Sequence, residues 1–156
     1  MQRGTVLRVR RAPTLLIAVV LVAGCGGSSS SNQRLTREEY AAQADAICKK
    51  YKQKTDTLTQ PRTLADLVEV ADRVLPILDH ARSDLRKLRP PQNEQATAQA
   101  WLDEFDVSID DVKKIRDVAK TNDRAAVQAA ALPALRHDKH ANDLATQLGM
   151  SICNQS

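Results

Sequence analysis

Apolar side chains follow two patterns along this chain. Near the start they form one unbroken run, Leu15 to Val22. From about residue 36 onward they return every three or four positions. The unbroken run is too short to span a bilayer, which takes about 20 helical residues. The spaced pattern is that of amphipathic helices, where positions three, four and seven apart share a face.

Four such segments can be read. Thr36-Arg37-Glu38-Glu39 fits a capping box, with Thr36 at the N-cap and Glu39 reaching back to it. Tyr40, Ala44, Ile47, Tyr51 and Leu58 mark one face of a first helix predicted to run to about Thr59, with Pro61 as its stop. Thr63, followed by Asp66, opens a second helix whose apolar face continues to Leu85 and Leu88 before Pro90-Pro91. Pro76 lies inside it, removes a backbone donor and predicts a kink. Asn93 is the expected N-cap of a third helix, with Ala98, Trp101, Leu102, Phe105, Ile109 and Val112 facing inward. Thr121-Asn122-Asp123 reads as a turn, and Asp123 as the cap of a fourth helix bearing Ala130, Ala134, His137, Ala141, Leu144 and Leu148 on its inner face. Pro133 predicts a bend there, and Gly149 stands where a helix-ending glycine belongs.

Helices of about 25 residues with short connections predict an all-α fold, an antiparallel four-helix bundle with proline-kinked second and fourth helices. A pair of helical hairpins bent at Pro76 and Pro133 is the alternative. No internal repeat suggests a solenoid. Composition agrees: aromatics are 3% of the chain, and Gly149 is the only glycine after Gly27.

The apolar run changes meaning with its flanks. Arg3, Arg8, Arg10 and Arg11 precede it without any acidic residue, the layout of an export signal. It closes on Val22-Ala23-Gly24-Cys25, which resembles the lipobox of bacterial lipoproteins. The resemblance implies that residues 1–24 are removed and that the Cys25 thiol carries a diacylglyceryl group. Two or more acyl chains anchor a protein stably where one does not. Gly26 to Asn32 is a Gly/Ser tract of the kind that forms a flexible tether. The expected organisation is therefore a signal peptide at 1–24, lipidated cysteine and tether at 25–33, and a helical domain at 34–156.

Processing also changes the charge. The formal net charge is +4, but the leader holds four of the 23 Lys and Arg and none of the 19 Asp and Glu, so residues 25–156 are neutral. A neutral domain without a basic stripe argues against a nucleic-acid partner. The membrane link expected here is the lipid.

Exported proteins meet an oxidising compartment, where paired cysteines oxidise. With Cys25 lipidated, Cys48 and Cys153 remain as an even pair. The tail beyond Gly149 can turn back toward the middle of helix one, so a Cys48–Cys153 disulfide is expected. A redox or metal-binding pair is the alternative reading, though no Cys-x-x-Cys is present.

Glu39-Tyr40, Ala44, Ala46-Ile47-Cys48 and the closing Gly149-Met150-Ser151-Ile152-Cys153 resemble a group of small secreted lipoproteins from high-GC actinobacteria. That resemblance implies a lipid anchor, a tether and an all-helical domain with two such cysteines. It supplies no reaction and no catalytic residue.

Candidate chemistry is sparse. His137, His140 and Asp143 fall on one stripe of helix four and are the candidate metal ligands. The bland reading has His137 at the edge of the core and the other two in solvent. His80 reads as a partly buried polar residue. Acidic side chains crowd early helix three and basic ones late helix two, which suits helix dipoles and solvated faces. Tyr40, Tyr51, Trp101 and Phe105 are at core spacing and read as packing. Were helices one and three to meet, these rings would line a pocket beside the kinks, with alanine-rich helix four leaving room. Hydrolase, P-loop, dinucleotide and zinc-protease motifs are absent. The expected protein is thus a non-enzymatic lipoprotein, anchored through Cys25 at the extracytoplasmic face of the cell membrane, without a resident cofactor. It would be a binding or accessory module for another envelope protein. The alternative is a carrier of haem, metal or an apolar small molecule.

Overall fold

The computed structural model describes residues 33–155, which lie within one compact unit. The leader, Cys25 and most of the tether lie outside the described residues. Those described form a bundle of four helices: α1 (Arg37–Thr55), α2 (Leu64–Leu85), α3 (Gln95–Ala119) and α4 (Arg124–Gln147), with a short 3-10 turn (Gln92–Glu94) ahead of α3. No described helix is long and apolar enough to cross a membrane.

Local chemistry sets the starts. Thr36 accepts the Glu39 amide while Glu39 accepts the Thr36 amide, and Thr63 with Asp66 repeats the arrangement on α2. Each pair satisfies two backbone donors that a helix start leaves open. The Asp123 carboxylate accepts the Ala126 amide and starts α4. Just before it, Asn122 holds φ 58°, a left-handed conformation that asparagine tolerates better than most residues. Asn93 does not cap α3. It sits inside the 3-10 turn, whose bond from the Glu94 amide to the Pro91 carbonyl replaces a side-chain cap.

The ends fall earlier than the apolar period suggests. α1 stops at Thr55 because the Thr55 and Thr57 hydroxyls take the carbonyls of Lys52 and Lys54. Leu58 belongs to the turn that follows. α2 stops at Leu85, and the amides of Lys87 and Leu88 close tighter bonds to Asp84 and Leu85. Arg89 precedes a proline and is pushed out of helical geometry. Its carbonyl accepts the Leu35 amide at 2.9 Å, tying the α1 entry to the α2 exit. α4 ends in a Schellman motif: Met150 N–H bonds the Ala145 carbonyl, Gly149 N–H bonds that of Thr146, and Gly149 holds φ 81°.

The core lies where all four helices meet. Tyr40 and Ala44 of α1, Leu85 of α2, Trp101 and Ile109 of α3, Ala145 of α4 and Leu148 just after it are essentially inaccessible. Burial pushes the Tyr40 phenol up to about 12. Helices α3 and α4 pack closest, helped by alanines at 130, 141 and 145.

The C-terminal tail is bound twice to α1. Cys48 and Cys153 form a disulfide, Sγ–Sγ 2.04 Å, so the paired reading of these cysteines holds. One turn before Cys48, the Asp45 carboxylate accepts four hydrogen bonds of 2.8–3.0 Å, from the Ser151 amide and hydroxyl and the amides of Ile152 and Cys153. Burial alone would raise this carboxyl, but the Cys153, Ser151 and Ile152 amides outweigh it and hold it below the ordinary value. Replacing Asp45 with alanine orphans those donors, and a loss of about 2 kcal/mol is expected in urea unfolding. A depressed folded-state pKa stabilises above the unfolded value of about 3.9 and is lost as pH falls through the folded value. The gap between the native protein and Asp45→Asn is therefore expected to be constant at neutral pH and to close in acid. A gap that persists unchanged in acid would rule out the clamp.

Candidate functional site: an apolar cavity closed by the tail

A cavity of about 370 Å³ opens between the four helices and the tail. That lies in the range of small-molecule pockets, roughly 300–1,000 Å³. Trp101 and Phe105 of α3 form one wall, their rings tilted with centroids 6.4 Å apart. Leu78, Ala81 and Leu85 of α2 form a second wall and Tyr51 of α1 a third. Ala141 lines the α4 side, and Cys48–Cys153 with Ile152 closes the tail side. Small side chains at 81 and 141 leave the space that leucines there would fill.

The walls are braced from outside. Tyr51 donates its hydroxyl to Asp84 Oδ2 at 2.7 Å, and Lys50 and Lys87 donate to the same carboxylate at 3.1 and 2.7 Å. Bonds from Lys87, Tyr51 and Lys50 hold the Asp84 carboxyl well below the usual range. They fix the Tyr51 ring between α1 and the end of α2. Three of the four aromatic residues that the sequence placed at core spacing thus line a cavity, while Tyr40 packs in the core.

Two polar groups stand in this apolar surface without a hydrogen bond to any described residue: the Ser108 hydroxyl of α3 and the Asp138 carboxyl of α4. Burial raises the Asp138 carboxyl above its ordinary value, and the neighbouring Asp111 charge raises it further. Lys52 reaches the rim but is engaged with Asp56 at 2.8 Å.

The metal-ligand candidates do not converge. His137 Nδ1 meets Asp111 at 2.7 Å, His140 Nδ1 meets Glu104 at 2.8 Å, and Asp143 pairs with Lys139. Each pair braces a helix surface, and among the described residues no group of three or more His, Cys, Asp or Glu is placed to hold a metal. His80 is exposed rather than partly buried. Most of the acidic stripe of α3 is engaged in ion pairs, Asp106 with Arg82 and Arg86 of α2 among them, while Asp103 accepts from the Gln99 side-chain amide. Exposed pairs of this kind each contribute little, about 0–1 kcal/mol.

Sequence reasoning missed Asp45, Ser108 and Asp138. Asp45 had a signal: it lies one turn ahead of Cys48, on the face the tail must cross. Asp138 had none, because its neighbour His137 looked the better candidate and only the rotation of α4 tells which of the two lines the cavity.

The chain matches no protein-family model, no curated protein and no solved structure.

Proposed function

We propose that this is a lipid-anchored bacterial lipoprotein, non-enzymatic, whose helical domain binds an apolar small molecule at the extracytoplasmic face of the cell membrane. The observation that carries the binding half is the 370 Å³ cavity, apolar over most of its wall and reached by all four helices. An apolar space of this size favours occupation by hydrocarbon over water. The anchor half rests on Val22-Ala23-Gly24-Cys25 and the Gly/Ser tract after it, together with the likeness to small actinobacterial lipoproteins. The architecture behind it is an antiparallel bundle bent at Pro76 and Pro133. Cross-helix pairs in opposing chain order, Asp72–Arg116 with Arg82–Asp106, support the antiparallel part. No nucleic acid enters this reading.

Two experiments test the two halves. Cys25→Ser is expected to move the exported protein from the membrane fraction to the soluble one; retention after leader cleavage would exclude the anchor. Ala81→Phe, at a wall position 3% exposed, fills the cavity from the α2 side. It is expected to cut the yield of co-purifying apolar molecule about tenfold or more while the helical spectrum is kept. An unchanged yield would place the ligand elsewhere or nowhere.

A second reading, docking to another envelope protein, is favoured by Leu132 and Leu135 on α4, which are 60% and 66% exposed. Crosslinking from position 135 that captures one specific envelope protein would support it.

A further inference from the structure

We infer that the molecule held in the cavity is an amphiphile with an apolar body and a protonated amine, and that the amine docks on the Asp138 carboxylate. The inference rests on the cavity being the binding site and adds the chemical class of its occupant. The body follows from the walls, which are mostly apolar, with Phe105, Leu78 and the Trp101 ring among them. The head group follows from charge.

Among the described residues, Asp138 is the only anionic side chain that lines the cavity, and it makes no hydrogen bond to another of them. Asp138 is half-buried there, and a carboxylate partly withdrawn from water gains from a cationic partner. Among the described residues no side chain supplies one. Lys52, the only cation lining the cavity among the described residues, is already paired with Asp56. His137 precedes Asp138 in the chain but is paired with Asp111 at 2.7 Å. Asp111 in turn adds negative potential near Asp138 and shifts its carboxyl in the same sense as burial does. An alkylammonium entering the cavity brings a cationic partner and donates charge-assisted hydrogen bonds to the carboxylate. A neutral alcohol donates at most one hydrogen bond to the carboxylate and brings no compensating charge. A fatty acid sets a third negative charge against Asp138 and Asp111.

The test titrates octylamine, 1-octanol and octanoate separately into the exported, oxidised Cys25→Ser protein at neutral pH. Calorimetry gives the affinities. The emission of Trp101, the single tryptophan of the chain, reports entry into the cavity. Octylamine is expected to bind about tenfold or more tighter than 1-octanol, the scale of a hydrogen bond to a charged group, and octanoate weakest of the three. Asp138→Asn is expected to bring octylamine down to the level of 1-octanol while 1-octanol binding stays unchanged, which also shows that the cavity still forms. Equal binding of octylamine and 1-octanol by the native side chain, tighter binding of octanoate, or an octylamine preference that survives Asp138→Asn would overturn the amine assignment and leave the cavity reading standing. Failure of all three to bind or to shift Trp101 emission would overturn both.

Discussion

Replacing Cys48 and Cys153 by serine is expected to remove about 4–5 kcal/mol of stability. The two cysteines are 105 positions apart, so the bridge closes nearly the whole helical domain into one loop. In the chain-entropy description such a loop strips the unfolded ensemble of about 4.7 kcal/mol of freedom. Typical domains hold only about 5–15 kcal/mol in total, so the reduced protein is expected to be marginal. The consequence is local as well as global. Ile152 and Cys153 form one side of the cavity, and Asp45 can hold the tail only through hydrogen bonds once the bridge is gone. Ligand affinity is therefore expected to fall with the bridge. Urea unfolding followed by circular dichroism, with and without reductant, measures the first effect. A midpoint that does not move on reduction would show that the bridge contributes nothing to the stability of the fold.

Trp101→Ala is expected to cost about 3–5 kcal/mol, as large-to-small changes at fully buried aromatic sites do. Trp101 is 2% exposed and sits where the core proper, with Tyr40 and Leu148, gives way to the cavity. Its loss removes a core contact and merges new empty space with space already present, so little collapse can compensate. Phe105 also loses the ring it tilts against. Leu132→Ala, on the exposed face of α4, is the control and is expected to stay within about 0.5 kcal/mol of the native protein. The two variants compared in one thermal or urea series decide the matter. Equal losses at 101 and 132 would mean that the core has been misplaced.

Much of this architecture was readable from local chemistry. Thr36, Thr63 and Asp123 start helices by bonding amides three residues away, and Gly149 ends one because it alone can take φ 81° without strain. Such interactions need no tertiary context. The helix ends at 55 and 85 were less legible because Leu58 and Leu88 keep the apolar period after the backbone has turned, their side chains half buried from the following turns. Asn93 misled for a related reason: the double proline before it imposes a 3-10 turn that dispenses with the cap. The disulfide was legible by counting, and it drew the tail onto α1. The cavity was only half legible. The sequence offered aromatic residues at core spacing and alanines on the fourth helix, but whether they fill space or enclose it depends on the rotation of each helix about its axis. Asp138 became visible only once that rotation placed it at the wall and His137 against Asp111.

Whether the cavity between the four helices and the tail is a binding site can be read from native mass spectrometry of the protein, exported in its own host and kept oxidised. The expected species is two hydrogens lighter than the reduced chain and carries one additional small apolar molecule, lost on collisional heating and absent from Ala81→Phe. An oxidised protein that is bare, and that stays bare when octylamine is added, would contradict the binding role of the cavity.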